Sequence, residues 1–210
     1  MASEKKNSVR VTQARDLAGM RIIGGQFRGR KLQYSGDLRT RPMKDRVREA
    51  LFNLLGRTVS GKLAIDLFAG TGALALEALS RGAARAIAIE LHRPTAQLIA
   101  QNAATLHAES QIEIVTGNTF LWAKRLPDLG AVPWVVFCSP PFEFYVERKD
   151  EMLGMLNHLI GLAPAESLFA VEADERFDFR LLPEPDAWDI RSYRPAVLGI
   201  WEKTRIEQPK

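Results

Sequence analysis

The stretch Asp66-Leu-Phe-Ala-Gly70-Thr-Gly72 has the make-up of a small-molecule cradle. Leu63-Ala-Ile-Asp-Leu67, which leads into it, reads as a buried strand, and Ala73 to Ser80 reads as a helix. Ligands of strand–turn–helix units bind at the carboxyl ends of the strands. Glycines there let ligand atoms reach the backbone, and the helix start offers free N–H groups. Glu90 closes the next apolar run, eighteen residues after Gly72. An acid so placed accepts hydrogen bonds from both hydroxyls of a ribose. Two cofactors meet these conditions. Gly70-x-Gly72-x-x-Ala75 satisfies a dinucleotide fingerprint, so a nicotinamide or flavin enzyme stays open. Asp66 would repel a pyrophosphate but suits the cationic amino group of S-adenosylmethionine, which has no phosphates. The turn favours that cofactor over a dinucleotide, with Asp66, Phe68, Gly70, Gly72 and Glu90 as its expected contacts. Asn118, after the third strand, adds an amide able to donate to and accept from an adenine edge; a turn-forming Asn is the equal alternative.

A second group is Ser139-Pro-Pro-Phe142, at the end of a fourth apolar run, Trp134 to Cys138. Two prolines stiffen the chain and remove two backbone donors, leaving carbonyls to accept. Phe142 offers a face for a flat ring. Ser139 and the Pro140 carbonyl as acceptors, with Phe142 as platform, would hold a planar amine. His92, His107 and His158 have no ligand spacing, so no metal is expected. Cys138 sits in a strand, where a buried inert thiol is commoner than a nucleophile.

These residues need a scaffold, and the chain alternates strand and helix from residue 62 onward. Further strands are expected at Ala84 to Glu90, Gln111 to Thr116, Ser167 to Glu172, Trp188 to Tyr193 and Val197 to Glu202. Helices are expected from Pro94 to His107, Thr119 to Arg125 and Asp150 to Gly161. That order specifies an α/β fold, a mostly parallel, doubly wound sheet ending in an antiparallel hairpin. Residues 61–210 form this domain, and residues 1–60 a basic N-terminal extension. Within the extension, residues 1–19 read as unstructured and Met20 to Leu32 as a hairpin around Gly24-Gly25. Thr40-Arg-Pro42 reads as a turn. Lys44 to Leu55 reads as an amphipathic helix with Val47, Ala50, Leu51, Leu54 and Leu55 on its apolar stripe and Arg48 off it.

The 210 residues carry a net charge of +4, unevenly spread. Residues 1–60 hold 14 Lys and Arg against 5 Asp and Glu, and the remainder is acidic by 5. A basic head points to a polyanion, nucleic acid being the commonest, against a merely solvated tail. Arg21, Arg28, Arg30, Lys31, Arg41, Lys44, Arg46 and Arg48 are the candidate phosphate contacts. The single cysteine excludes a disulfide scaffold. No apolar run is long enough to span a membrane. A cytoplasmic monomer without a membrane partner is the expectation.

The chain resembles the RsmD-type 16S ribosomal RNA guanine-N2 methyltransferases. The resemblance rests on Arg21-Ile-Ile-Gly-Gly-Gln-Phe-Arg-Gly-Arg-Lys-Leu32, on Arg41 to Asn53, on the run from Asp66 to Gly82, on Glu90 and on Pro140-Pro-Phe142. It covers roughly residues 20 to 205, and the N-terminal segment is its most specific part. It implies a Rossmann-like class I methyltransferase fold, S-adenosylmethionine as donor, and ribosomal RNA or a partly assembled small subunit as partner. The family's pattern has Asp before Pro-Pro-Phe, and here Ser139 takes that place. The residue itself brings a neutral acceptor, so either slow methyl transfer or a non-catalytic RNA-binding or assembly role is implied.

Overall fold

The computed structural model describes residues 20–34, 36 and 42–204. The tail at 1–19, Arg41 and the turn expected at Thr40 to Pro42 therefore fall wholly or partly outside the described residues. Seven strands form one sheet: β1 (Leu63–Asp66), β2 (Arg85–Glu90), β3 (Ile112–Thr116), β4 (Trp134–Cys138), β5 (Leu168–Asp174), β6 (Asp189–Tyr193) and β7 (Ala196–Glu202), in the spatial order β3-β2-β1-β4-β5-β7-β6. The first five are parallel, and β7 runs antiparallel to both β5 and β6. The final hairpin thus stands at the sheet's end as expected, with β7 on its inner side. The longer helices are α1 (Asp45–Leu55), α2 (Ala73–Ser80), α3 (Arg93–Leu106) and α6 (Lys149–Leu162), with short α4 (Thr119–Lys124) and α5 (Phe144–Glu147).

The central strands β1 and β4 are buried throughout, which explains why they are apolar but for Asp66 at the end of β1. The edge strand β6 is mostly exposed and carries Asp189 and Arg191 as an ion pair, a composition that discourages further pairing. Alternate side chains along the strands feed two cores. One face presents Ala64, Ala86, Ala88 and Ala170, and α1, α2 and α3 pack onto these small residues. The other presents Leu63, Ile65, Ile87, Val136 and Phe169, covered by α6 and α4.

The basic head belongs to the first core. Met20, Ile22 and Leu32 are buried in it beside Leu76 and Leu79 of α2. The hairpin expected there is present: Arg21 and Lys31 form an antiparallel bridge, flanked by Ile22 N donating to Arg30 O at 2.9 Å and Leu32 N to Met20 O at 2.8 Å. Its turn lies at Gly25–Arg28, one step beyond Gly24-Gly25, with Arg28 N donating to Gly25 O at 3.2 Å. Docking explains the displacement. Gly25 has φ +73°, and a Cβ on it would lie 1.8 Å from the Ser80 carbonyl, so this glycine serves a close approach.

Polar side chains of the helices take up the head's backbone groups. Glu77, fully buried on α2, accepts from Ile23 N and Gly24 N, both at 2.7 Å, and from Arg81 Nε at 2.8 Å. Ser80 Oγ accepts from Phe27 N at 2.9 Å. Asn102 of α3 accepts from Gln33 N at 2.7 Å and donates to Gln33 O at 3.1 Å. Buried backbone groups require partners, and these three side chains supply what a neighbouring strand would have supplied.

Helix α1 corrects one assignment. Arg48 is fully buried, together with Val47, Leu51, Phe52 and Leu55, whereas Leu54 faces outward. The Arg48 guanidinium donates to Arg21 O at 2.6 Å and Asp45 Oδ1 at 2.9 Å, clamping the head to the helix. Burial lowers its pKa. It is a structural clamp and is not available to a phosphate.

Replacing Glu77 with Ala should cost about 2–4 kcal/mol, because buried N–H donors and the Arg81 guanidinium lose their acceptor. Chemical denaturation measures the loss. Amide exchange at Ile23 and Gly24 should accelerate by more than at β1 if the head is released first.

Candidate functional site

The strand order reverses between β1 and β4, whose connections leave toward opposite sides and open a crevice at the carboxyl ends. Asp66 ends β1 and the glycine turn follows it, Glu90 ends β2, Asn118 follows β3 and Ser139 follows β4. The sheet therefore brings the expected cofactor and acceptor residues to one rim.

Glu90 shapes the turn. Its Oε2 accepts from Gly70 N and its Oε1 from His92 N, both at 2.8 Å. A carboxylate has about four acceptor positions, so each oxygen keeps capacity for a ligand hydroxyl. Gly70 and Gly72 have φ of 52° and 77°. A Cβ on Gly72 would lie 2.7 Å from Ile99 Cγ2, so α3 packs directly against the turn. Asn102, which holds the head, also donates to the Thr71 carbonyl at 3.3 Å.

Asp66 is almost wholly buried. Its Oδ2 accepts from Ala75 N at 3.3 Å, at the start of α2. Its Oδ1 makes no hydrogen bond of ordinary geometry among the described residues, although the Phe68 amide adds some stabilisation to the carboxylate. Burial pushes its carboxyl up to about 7, with nearby Glu90 adding to the effect. An orphaned buried acceptor beside a glycine turn fits a cationic amino group, the role expected for Asp66.

Asn118 turns out to be an N-cap. Its Oδ1 accepts from Phe120 N at 2.9 Å and Leu121 N at 3.2 Å at the start of α4. Its carbonyl thus serves the helix, and only the amide N–H remains for an adenine edge. Thr119 Oγ1 donates to the Leu67 carbonyl, tying this loop to the end of β1.

Past β4, the turn Ser139-Pro-Pro-Phe142 sits with Pro140 buried and Pro141 exposed. The Pro141 carbonyl accepts from Phe144 N at 2.9 Å, opening α5. Among the described residues no backbone donor takes the Pro140 carbonyl, which remains the acceptor of the pair. Phe142 is half-buried against the first core. Cys138 is buried and its thiol is pushed up to about 12 by burial, which keeps it protonated and inert.

The sequence reading missed an aromatic group at the same rim. Phe68 lies 6.0 Å from both Phe120 and Phe144, edge-on to each. The Arg148 guanidinium lies 4.1 Å from the centre of Phe120 and 5.1 Å from that of Phe144. These rings come from three separate connections, so no local spacing reveals them. Leu91, directly after Glu90, is 70% exposed, an apolar surface at the mouth.

On the head, Arg21, Arg28, Arg30, Lys31, Lys44 and Arg46 are exposed or partly so. Arg30 Nη2 donates to Thr105 O at 2.7 Å, at the end of α3. Among the described residues no cluster of His, Cys, Asp or Glu could hold a metal ion, and no helix is long and apolar enough to cross a membrane.

Comparison with known proteins places this architecture. The Conserved hypothetical protein 95 family matches residues 20–193. The chain is 41% identical over 182 residues to ribosomal RNA small subunit methyltransferase D of Escherichia coli K12, covering 86% of this chain and 85% of that one. Its Haemophilus influenzae counterpart is 39% identical over 172 residues, covering 81% and 86%. A solved hypothetical protein of Thermus thermophilus superposes with a TM-score of 0.67 at 25% identity, covering 87% of this chain and 99% of that one. An RNA methyltransferase from Salinibacter ruber, solved with S-adenosyl-L-homocysteine, shares the fold at a TM-score of 0.57 and 17% identity, covering 81% and 97%.

The buried Asp66 gives a pH signature. A raised native pKa means that the fold holds this proton more tightly than the unfolded chain does. Its contribution to stability is full below about pH 4 and is lost as pH rises toward about 7. Denaturation across that window should show wild type losing stability relative to Asp66→Asn, with a level difference between the two above it.

Proposed function

The chain belongs to the RsmD-type family that the Conserved hypothetical protein 95 match defines, and from that premise we propose that it is an S-adenosylmethionine-dependent ribosomal RNA methyltransferase whose target is the exocyclic N2 amine of a guanine in the small subunit. The observation that carries the reading is the juxtaposition, on one rim, of an orphaned buried carboxylate, a glycine turn held by Glu90, and the acceptor turn at Ser139. The first two suit the amino and ribose ends of the donor, and the third suits an amine. A dinucleotide pyrophosphate would meet the Asp66 carboxylate unfavourably.

When bound, S-adenosylmethionine supplies an electrophilic methyl group on a sulfonium. The chain's residues do the rest. Asp66 would hold the amino group, Glu90 the ribose hydroxyls, and the Gly70–Gly72 turn would admit the ligand close to its backbone. Guanine N2 is a weak nucleophile because its lone pair is delocalised into the ring, so catalysis rests mainly on positioning and on acceptors that polarise the amine. Ser139 Oγ and the Pro140 carbonyl are those acceptors, and Phe142 supports the base. The base must leave its stack to reach them. The accessible cations of the head, Arg21, Arg28, Arg30, Lys31, Lys44 and Arg46, would hold RNA phosphates, and Arg41 remains a candidate from its sequence position.

The direct test is transfer of a labelled methyl group to small-subunit ribosomal RNA, followed by digestion to nucleosides. Label in N2-methylguanosine supports the reading, and label in another nucleoside removes the guanine-N2 assignment. Two variants check its halves. Glu90→Ala should weaken S-adenosylmethionine by about 1–3 kcal/mol in calorimetry, since a charged acceptor is lost. Neutralising Arg28, Arg30 and Lys31 together should weaken RNA binding and flatten its salt dependence by about 2–3 units of slope, with cofactor affinity unchanged. An unaltered slope would remove these residues from the RNA surface.

A further inference from the structure

The turn after β4 lacks a carboxylate of its own, yet one lies directly behind it. Ser139 follows Cys138, which is paired in register with Val171 on the adjacent strand β5. One residue further on each strand, the Ser139 hydroxyl donates to Glu172 Oε2. Glu172 is only 8% exposed. Tyr145 fixes its backbone, with the phenol donating to the Glu172 carbonyl at 3.0 Å. Tyr145 is itself buried beside Cys138 and packed on Phe177, their ring centres 4.4 Å apart. Ser139 thus bonds the carboxylate itself, and Tyr145 fixes the backbone that carries it.

We propose that Glu172 supplies, through Ser139, the negative charge that Ser-Pro-Pro-Phe itself lacks. The inference rests on the amine-methylating reading above and deepens it. A serine hydroxyl that donates its proton to a carboxylate keeps both oxygen lone pairs for an incoming N–H. Hydrogen bonds in such a chain polarise one another, so Ser139 Oγ becomes a stronger acceptor than an isolated hydroxyl. The proton balance closes within the chain of residues. As the methyl carbon leaves sulfur and bonds to N2, the amine proton passes to Ser139 Oγ, and the hydroxyl proton passes to Glu172, which becomes a neutral carboxyl. Glu172 then returns the proton to water after product departs. Glu172 is a positioning residue in this arrangement, acting on the amine only through Ser139.

The test uses the full chain and small-subunit ribosomal RNA under single turnover, with calorimetric affinities for S-adenosylmethionine and RNA measured alongside. Glu172→Gln keeps the size of the side chain and an oxygen able to accept from Ser139, but removes the charge. Its rate should fall about tenfold to a hundredfold with both affinities unchanged. Ser139→Ala, which cuts the link and leaves Glu172 in place, should fall comparably. The double variant should be no slower than the slower single one, because the two residues act as a unit. A double-mutant cycle on thermal unfolding reads the Ser139–Glu172 bond independently of turnover. Wild-type rate in Glu172→Gln, or additive losses in the double variant, would overturn the relay while leaving the methyltransferase reading intact. Absence of transfer to a guanine amine by wild type would overturn both.

Discussion

The reversal of strand order between β1 and β4 is the constraint on which everything else depends. Two parallel neighbours whose connections depart in opposite directions cannot close the space above their carboxyl ends. β1 delivers Asp66 and the glycine turn to that space, and β4 delivers Ser139. The adjacent strands complete the rim, β2 with Glu90 and β5 with Glu172. Each of these carboxylates thus lies at or near the end of a strand whose apolar residues are committed to the core, and its position follows from the register of the sheet.

The same sheet explains why the described part of the basic head packs against the domain. The alanines on one face of the sheet allow α1, α2 and α3 to approach closely, and the head fills the remaining edge of that core. Glu77, Ser80, Asn102 and the buried Arg48 bind its backbone. Asn102 reaches both the head, at Gln33, and the glycine turn, at Thr71. A surface suited to phosphate and a turn suited to the donor are therefore braced by one buried side chain.

Much of this was legible in the sequence. The β4 run from Trp134 to Cys138 is the strand observed, and the other elements lie within a few residues of their expected positions, because parallel strands buried on both faces leave continuous apolar runs. The glycine turn and Glu90 were legible because their spacing is local. What was missed depends on contacts across elements. Arg48 reads as a solvent-facing cation by helical period, but the head covers that side of α1. Asn118 reads equally as a ligand amide or a turn former, and helix α4 decides by taking its carbonyl as a cap. The aromatic group of Phe68, Phe120 and Phe144 assembles from three connections, and Glu172 meets Ser139 only through the β4–β5 pairing. Ser139 alone reads as a neutral acceptor, and the carboxylate beside it is visible only once β4 and β5 are paired.

On the proposed function, one crevice at the β1–β4 reversal holds both the methyl donor and the acceptor turn. A crystal structure of the protein with S-adenosyl-L-homocysteine bound tests it most directly. The amino group should lie at Asp66 and the ribose hydroxyls on Glu90, with the sulfur facing Ser139 and Pro140. A ligand seated away from Asp66 and Glu90, or one whose sulfur faces away from the Ser139 turn, would contradict it.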